Sequence, residues 1–273
     1  SNTDLAAFFV HVRDAEWNYY PDTDEGRKSY IADATAAIDN IKSKLPEVFG
    51  LMPKADLLVK RVEPFRERDG AAQHYYPGTP DGSRPGIYYA HLSDMSAMPK
   101  NQLEVIAYHE GLPGHHMQLS IAQELTGIPV FRTQANFTAY TEGWGLYSEF
   151  LAKEISGTYN DPYQDFGRLT AEAWRAIRLV VDTGLHAKGW TEQEAVDYFA
   201  ANSPEPLASV VSEIQRYIVM PGQATAYKIG MLKILELRRK ATAALGDKFD
   251  LGKFHDAILG GGALPLSLLE RKI

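Results

Sequence analysis

The run His109-Glu110-Gly111-Leu112-Pro113-Gly114-His115-His116 sets imidazoles on both sides of a carboxylate, in a segment that also carries two glycines and a proline. In a His-Glu-x-x-His helix, two imidazoles one turn apart chelate Zn2+ and the Glu acts on water at the ion. The interval here is longer. His115 follows His109 by six positions, which at ~100° per residue puts it on another face of a straight helix. His116, one position on, regains the face but stands about 10.5 Å away along the axis. Zn–N bonds of about 2.0–2.1 Å require ring nitrogens only a few ångströms apart, so neither pair chelates one ion on an unbroken helix. Pro113 cannot continue the hydrogen-bond ladder, and Gly111 and Gly114 admit backbone geometries that other residues resist. A two-residue bulge over Gly111 to Gly114 brings His115 to the second ligand position and turns His116 off the metal. His116 is the alternative ligand.

The flanking sequence supports a helical setting. Leu103, Val105, Ile106 and Ala107 run into His109, with Pro99 near a helix start and Gln102 and Glu104 in the first turns. His109 and Glu110 are therefore expected at the end of a buried helix; the competing reading is a His-rich turn that simply caps it. A catalytic zinc needs a third protein ligand and an open position. Glu142 is the candidate, in the helical segment Phe137 to Glu149, after a turn at Gly127-Ile128-Pro129 that lets the chain return antiparallel. Glu149, two turns beyond Glu142, either orients a ligand His or is a solvated helix charge.

The stretch Ala107 to Gln118, followed by Tyr140-Thr141-Glu142-Gly143-Trp144, resembles the bacterial family called domain of unknown function 885. Val181-Asp182-Thr183-Gly184-Leu185-His186 with Gly189-Trp190, Arg216-Tyr217, Pro221-Gly222-Gln223-Ala224 and Tyr227-Lys228-Ile229-Gly230 resemble it too, so the likeness spans roughly residues 85 to 230. The resemblance implies a gluzincin-like metallopeptidase with two His and one Glu as ligands: His109, His115 and Glu142 here. Dipeptidyl peptidase III, a gluzincin with a longer His-to-His interval, makes a modified ligand helix credible. The segment Glu213 to Met220 is similar to the Arg-Tyr helix of angiotensin-converting enzyme, which implies that Tyr217 binds the oxyanion. A phenol aimed at developing charge suits that role, and a buried core Tyr is the other reading. Arg216 is a candidate for a forked hydrogen bond to a substrate carboxylate. With His186 and Tyr227 it completes the expected substrate-binding set. Asp182, His186 and Arg178 share one helix face and read equally as a side-chain network.

The organisation expected is mainly α with a small antiparallel β-sheet, an α+β fold with a gluzincin-like helical catalytic domain over residues 1–273. Helix and strands lead in over 1–98, and the metal-site helices and helical remainder occupy 99–273. Ile31, Ala34, Ile38, Ile41 and Leu45 recur at three- and four-residue steps within 24 to 49. Strand-like runs follow at Leu57 to Val62, Gln73 to Tyr76 and Gly86 to His91, and the last is the candidate edge for pairing with an extended peptide. Helix breaks are expected near Gly127-Pro129, Gly157-Pro162, Gly189-Trp190, Asn202-Pro206, Pro221-Gly222 and Gly246-Asp247, with Gly260-Gly261-Gly262 as a hinge before a short terminal helix. His74, His186 and His255 read as structural or solvent-facing rather than as ligands.

With 45% hydrophobic residues among 273, the chain can bury a sizeable core. A net charge of −7 argues against nucleic acid as a partner, and no apolar run approaches the roughly 20 residues of a membrane span. The absence of cysteine excludes disulfides and thiolate zinc sites and leaves the compartment open. Ser1-Asn2 reads as a tag-cleavage scar, and members of the resembled family are longer. The chain is therefore expected to be the C-terminal part of a longer protein whose N-terminal region completes the cleft. The function expected is zinc-dependent hydrolysis of a peptide or small amide, with Zn2+ as cofactor and Glu110 as the base. The alternatives are an amide or ester hydrolase of non-peptide substrates, or a helical binding module with a structural or vacant metal site.

Overall fold

The computed structural model describes residues 4–68 and 71–273. Two helices, α1 (Leu5–Arg13) and α2 (Asp24–Lys42), precede three strands, β1 (Leu57–Arg61), β2 (His74–Tyr76) and β3 (Gly86–Ala90). Then come α3 (Leu103–Glu110), α4 (His115–Glu124), α5 (Val130–Thr133), α6 (Thr138–Ala152) and α7 (Pro162–Lys188). The chain continues through α8 (Glu192–Asn202), α9 (Leu207–Val219), α10 (Ala226–Leu245), α11 (Leu251–Leu259) and α12 (Leu266–Lys272). The fold is mainly helical with a small sheet, as expected.

The local signals account for most of these bounds. Thr23 caps α2 by accepting from the Gly26 amide, and Tyr30, Ala34, Ile38 and Ile41 form its buried stripe. Leu45 is buried too, but in a short 3-10 turn past the end of α2. Asp161 caps α7, Pro162 occupies its first turn, and Gly189 closes it in the left-handed region at φ 70°.

The sheet departs from expectation in two ways. It is mixed, not antiparallel: β1 pairs parallel to β3, Leu57 opposite Gly86, while β2 pairs antiparallel to β3, His74 opposite Tyr89. The strand order is β1-β3-β2, so the run from Gly86 is the central strand and not the edge. The reason is the pairing: β1 takes one side of β3 and β2 the other, while Gly86, Tyr88 and Ala90 are its buried alternate residues. β1 and β2 are the edge strands instead.

The main core joins α2, the sheet, α3, α6, α10 and α11 around Tyr88, Tyr108, Trp144 and Tyr147. A second cluster, with Val181, Phe199, Ile214 and Tyr217, packs α7, α8 and α9 together. α6 and α10 touch backbone to backbone: a Cβ on Gly143 would lie 2.4 Å from the Gly230 Cα. That approach sets Glu142 and Tyr227 beside the end of α3.

Candidate metal centre

The segment between the two candidate ligand histidines is a break and not a bulge. α3 ends at Glu110, and α4 begins at His115 after a turn that includes a cis Leu112–Pro113 peptide. The turn folds so tightly onto α3 that a Cβ on Gly114 would sit 1.9 Å from the His109 carbonyl oxygen. His115 thereby comes back over His109, their rings edge to face with centroids 4.6 Å apart. The placement predicted for His115 holds although the mechanism differs.

Glu142 closes the group. One of its carboxylate oxygens, Oε2, lies 3.5 Å from His109 Nε2 and 3.3 Å from His115 Nε2. Ligand atoms of the three residues fall within 4.8 Å of one another. A tetrahedron with bonds of about 2.0–2.1 Å has edges of about 3.3–3.4 Å, which the two distances to Glu142 Oε2 match. Glu142 Oε2 is buried without a hydrogen-bond partner, which a metal there would answer. Two imidazoles and one carboxylate are a usual catalytic zinc set, and the residues fit the ion.

Glu149 grips the other side of His109. Its Oε1 is 2.6 Å from His109 Nδ1, and it is only 1% exposed, so the solvated-charge reading does not hold. With Nδ1 as the donor, Nε2 keeps its lone pair for an ion. Gly145, on the same face of α6, makes room for the ring: a Cβ there would meet His109 Cε1 at 2.6 Å. Burial disfavours charge on His109, yet Glu142 and Glu149 push its pKa up to about 9. Against the same burial, His115 and His109 hold the Glu142 carboxyl well below its ordinary range. The pocket is thus an anionic cradle for positive charge.

Glu110 stays out of the ligand group and lines both adjoining cavities. Burial is the main cause that raises its pKa, with Glu142 adding to it against the two histidines. A cavity of about 290 Å³ opens between β2 and the ligands, lined by Gln73, His74, Tyr75, Thr141 and Tyr227 as well as the triad. A second, of about 250 Å³, shares His109, Glu110 and Tyr227 and runs toward Trp174, Arg175 and Arg178.

His116 points away. Its Nδ1 meets the Tyr75 hydroxyl at 3.0 Å and its Nε2 meets the Ala55 carbonyl oxygen at 3.0 Å, pinning β2 and the loop before β1 to α4. Burial lowers its pKa to about 4, as suits a neutral structural ring.

The tyrosine assignment needs correction. Tyr217 is fully buried in the α7–α9 cluster, and its hydroxyl accepts from Arg178 Nε at 2.7 Å and Trp174 Nε1 at 3.1 Å and donates to Glu213 at 2.8 Å. It lines neither cavity, because the helix that carries it turns this residue inward. Tyr227 is the phenol at the centre, its ring stacked over His109 at 6.0 Å. Arg216 reaches the second cavity but is engaged with Glu213 at 2.9 Å and Gln223 at 2.7 Å. His186 also differs from expectation: it lines neither cavity, and its Nε2 meets the Tyr217 carbonyl oxygen at 2.9 Å. Asp182 accepts from the Gly222 amide, so it and His186 fasten the α9 end to α7. Sequence reading overlooked Trp174, Arg175 and Glu205, although Ala171, Trp174, Arg175 and Arg178, spaced three or four apart on one face of α7, are a usable signal. Burial raises the Glu205 pKa to about 7 against a hydrogen bond from Gln102 at 2.7 Å.

Residues 1–273 match the family described as bacterial protein of unknown function (DUF885). The chain belongs to this family. A solved structure from Colwellia psychrerythraea, described as that of a "putative lipoprotein", superposes with a TM-score of 0.95 at 42% identity, covering 99% of this chain and 46% of that one. A second, from Shewanella oneidensis and described as a "putative lipoprotein of unknown function", gives 0.68 at 21% identity, covering 98% of this chain and 53% of the other; at that identity it speaks to the fold alone. The DUF885 chain spans about half the length of these solved structures. No curated protein matches it. Among the described residues, no helix is long and apolar enough to cross a membrane.

Proposed function

We propose that this DUF885 chain carries the centre of a zinc-dependent hydrolase that cleaves peptide bonds. The observation that supports it best is the convergence of His109 Nε2, His115 Nε2 and an unbonded Glu142 oxygen beside a buried carboxyl, Glu110, that is not a ligand. His109, His115 and Glu142 would hold the ion, and zinc, when bound, supplies Lewis-acid polarisation and a water of lowered pKa. Glu110, its affinity for a proton raised by burial, takes the proton from the attacking water and delivers it to the departing amine. Tyr227, its ring stacked over His109, would be the phenol that meets negative charge developing on the scissile carbonyl oxygen, the part expected of Tyr217. β2, one of the two edge strands, borders the cavity and offers an extended chain main-chain partners, which favours peptides as the substrate class.

The test is the Glu110→Gln variant, assayed for zinc stoichiometry and for cleavage of a peptide library. It should retain one zinc per chain and lose hydrolysis by several orders of magnitude. Full activity in that variant, or no zinc in the unaltered protein, overturns the reading.

A further inference from the structure

The second cavity, which runs toward α7, holds two guanidinium groups that are only partly used. Arg178 and Arg175 line it one turn apart on α7. Arg178 is 5% exposed, and it donates from Nε to Tyr217 at 2.7 Å and from Nη2 to Glu213 at 2.8 Å. Its Nη1 has neither solvent nor an acceptor. Arg175 donates from Nη1 to the Ala171 carbonyl at 3.2 Å and has Nη2 3.5 Å from Glu149, while its Nε is likewise buried without a partner. A charged N–H shut away from water with no acceptor is unfavourable, and such groups call for an explanation. The acidic neighbours do not answer it. Glu213 is already engaged by Arg178, Arg216 and Tyr217, and the hydrogen bond to Glu205 comes from Gln102. An incoming anion would, after a small swing of either guanidinium.

The cavity fixes how far that anion is from the reacting bond. The Arg178 guanidinium lies 4.5 Å from the Tyr227 ring centre, and that ring lies 6.0 Å from the His109 ring. Together these cap the separation of guanidinium and imidazole at about 10.5 Å. Extended chain advances about 3.3–3.6 Å per residue, which leaves room for one or two residues between the metal centre and the arginines.

We infer that Arg178, assisted by Arg175, binds the free C-terminal carboxylate of the substrate, so that the chain removes one or two residues from a peptide's C terminus. The inference rests on the hydrolase reading above and adds its substrate class. The reaction is plain hydrolysis: a C–O bond forms between water and the scissile carbonyl carbon, and the C–N bond breaks. The water proton passes through Glu110 to the departing amine. A carboxylate on a substrate side chain has the same chemistry, and the test separates the two sources.

The whole chain carrying Glu110→Gln is titrated calorimetrically with one N-acetylated tetrapeptide in three forms: free acid, C-terminal amide, and amide with Glu as the last residue. Each titration is run with zinc and again after chelation, because zinc can itself hold a carboxylate. The free acid should bind about 10- to 100-fold more tightly than either amide in both states, the range for a charge-assisted hydrogen-bonded pair. Arg178→Gln should erase the difference and Arg175→Gln should narrow it. If Arg178→Gln fails to fold, the acid–amide comparison on the native arginines decides alone. Equal binding of acid and plain amide overturns the inference, and equal binding of acid and Glu-amide overturns the terminal assignment. In the unaltered protein, cleavage that ignores the terminus sinks the inference and leaves the hydrolase standing. Acid preference in the chelated protein with no cleavage of any peptide keeps the carboxylate site and sinks the hydrolase.

Discussion

Replacing Glu149 by Gln tests whether the metal centre is built outward from His109. The Gln side chain has nearly the same shape, so it can still accept from His109 Nδ1 across the present 2.6 Å and keep the ring's tautomer, but it carries no charge. Two effects then act in one direction. The imidazole loses a charge-assisted partner that raises its basicity toward an ion, and Arg175, 3.5 Å from the carboxylate, is left as an uncompensated cation near the site. Loss of a carboxylate behind a ligand His costs about 10–100-fold in metal affinity, or about 1.4–2.7 kcal/mol. Competition for Zn2+ against a chromophoric chelator measures this directly. At a fixed free zinc concentration well above Kd, the metal-induced stabilisation should fall by the same amount, which thermal melts with and without zinc would read as a few degrees. Affinity within twofold of the unaltered protein would refute the argument, since it would mean that the buried Glu149–His109 contact has no part in holding the ligand.

Further outcomes follow from the same geometry. His115→Ala should empty the site, whereas His116→Ala should keep one zinc by metal analysis and lose about 1–3 kcal/mol of stability through its Tyr75 and Ala55 contacts; the opposite result would make His116 the ligand. Tyr217→Phe strands the donors Arg178 Nε and Trp174 Nε1, so urea unfolding should show a loss of about 1–3 kcal/mol while zinc affinity stays unchanged. The fold should also weaken in acid through His255, whose ring is neutral because burial drives its pKa to about 4 against a hydrogen bond to the Val48 carbonyl. The unfolded chain binds that proton near pH 6.5, so stability is intact above that value and declines by roughly 3 kcal/mol as pH falls to 4. Urea midpoints across pH 7 to 4.5 should slope less in His255→Gln, and parallel slopes would contradict the assignment.

Residues near one another in sequence were the legible ones. The buried stripe of α2, the caps and breaks around α7, the small sheet and the pairing of His109 with His115 all follow from periodicity, from glycine and proline, and from the reach of a Zn–N bond. Glu142 was legible because a ligand on a returning helix needs only a turn and a length of chain. What tertiary structure decided was which side chains meet across long stretches of sequence. The parallel pairing of β1 with β3 put Gly86–Ala90 in the middle of the sheet and left β1 and β2 at its edges. The backbone contact of α6 with α10 laid Tyr227 over His109, while the packing of α7 on α9 turned Tyr217 inward and left Arg175 and Arg178 facing the cavity with N–H groups to spare. Helix period and capping are set by a residue and its neighbours within about a turn. The partner of a buried polar group is set by which helices close over it, and that choice belongs to the packed core as a whole.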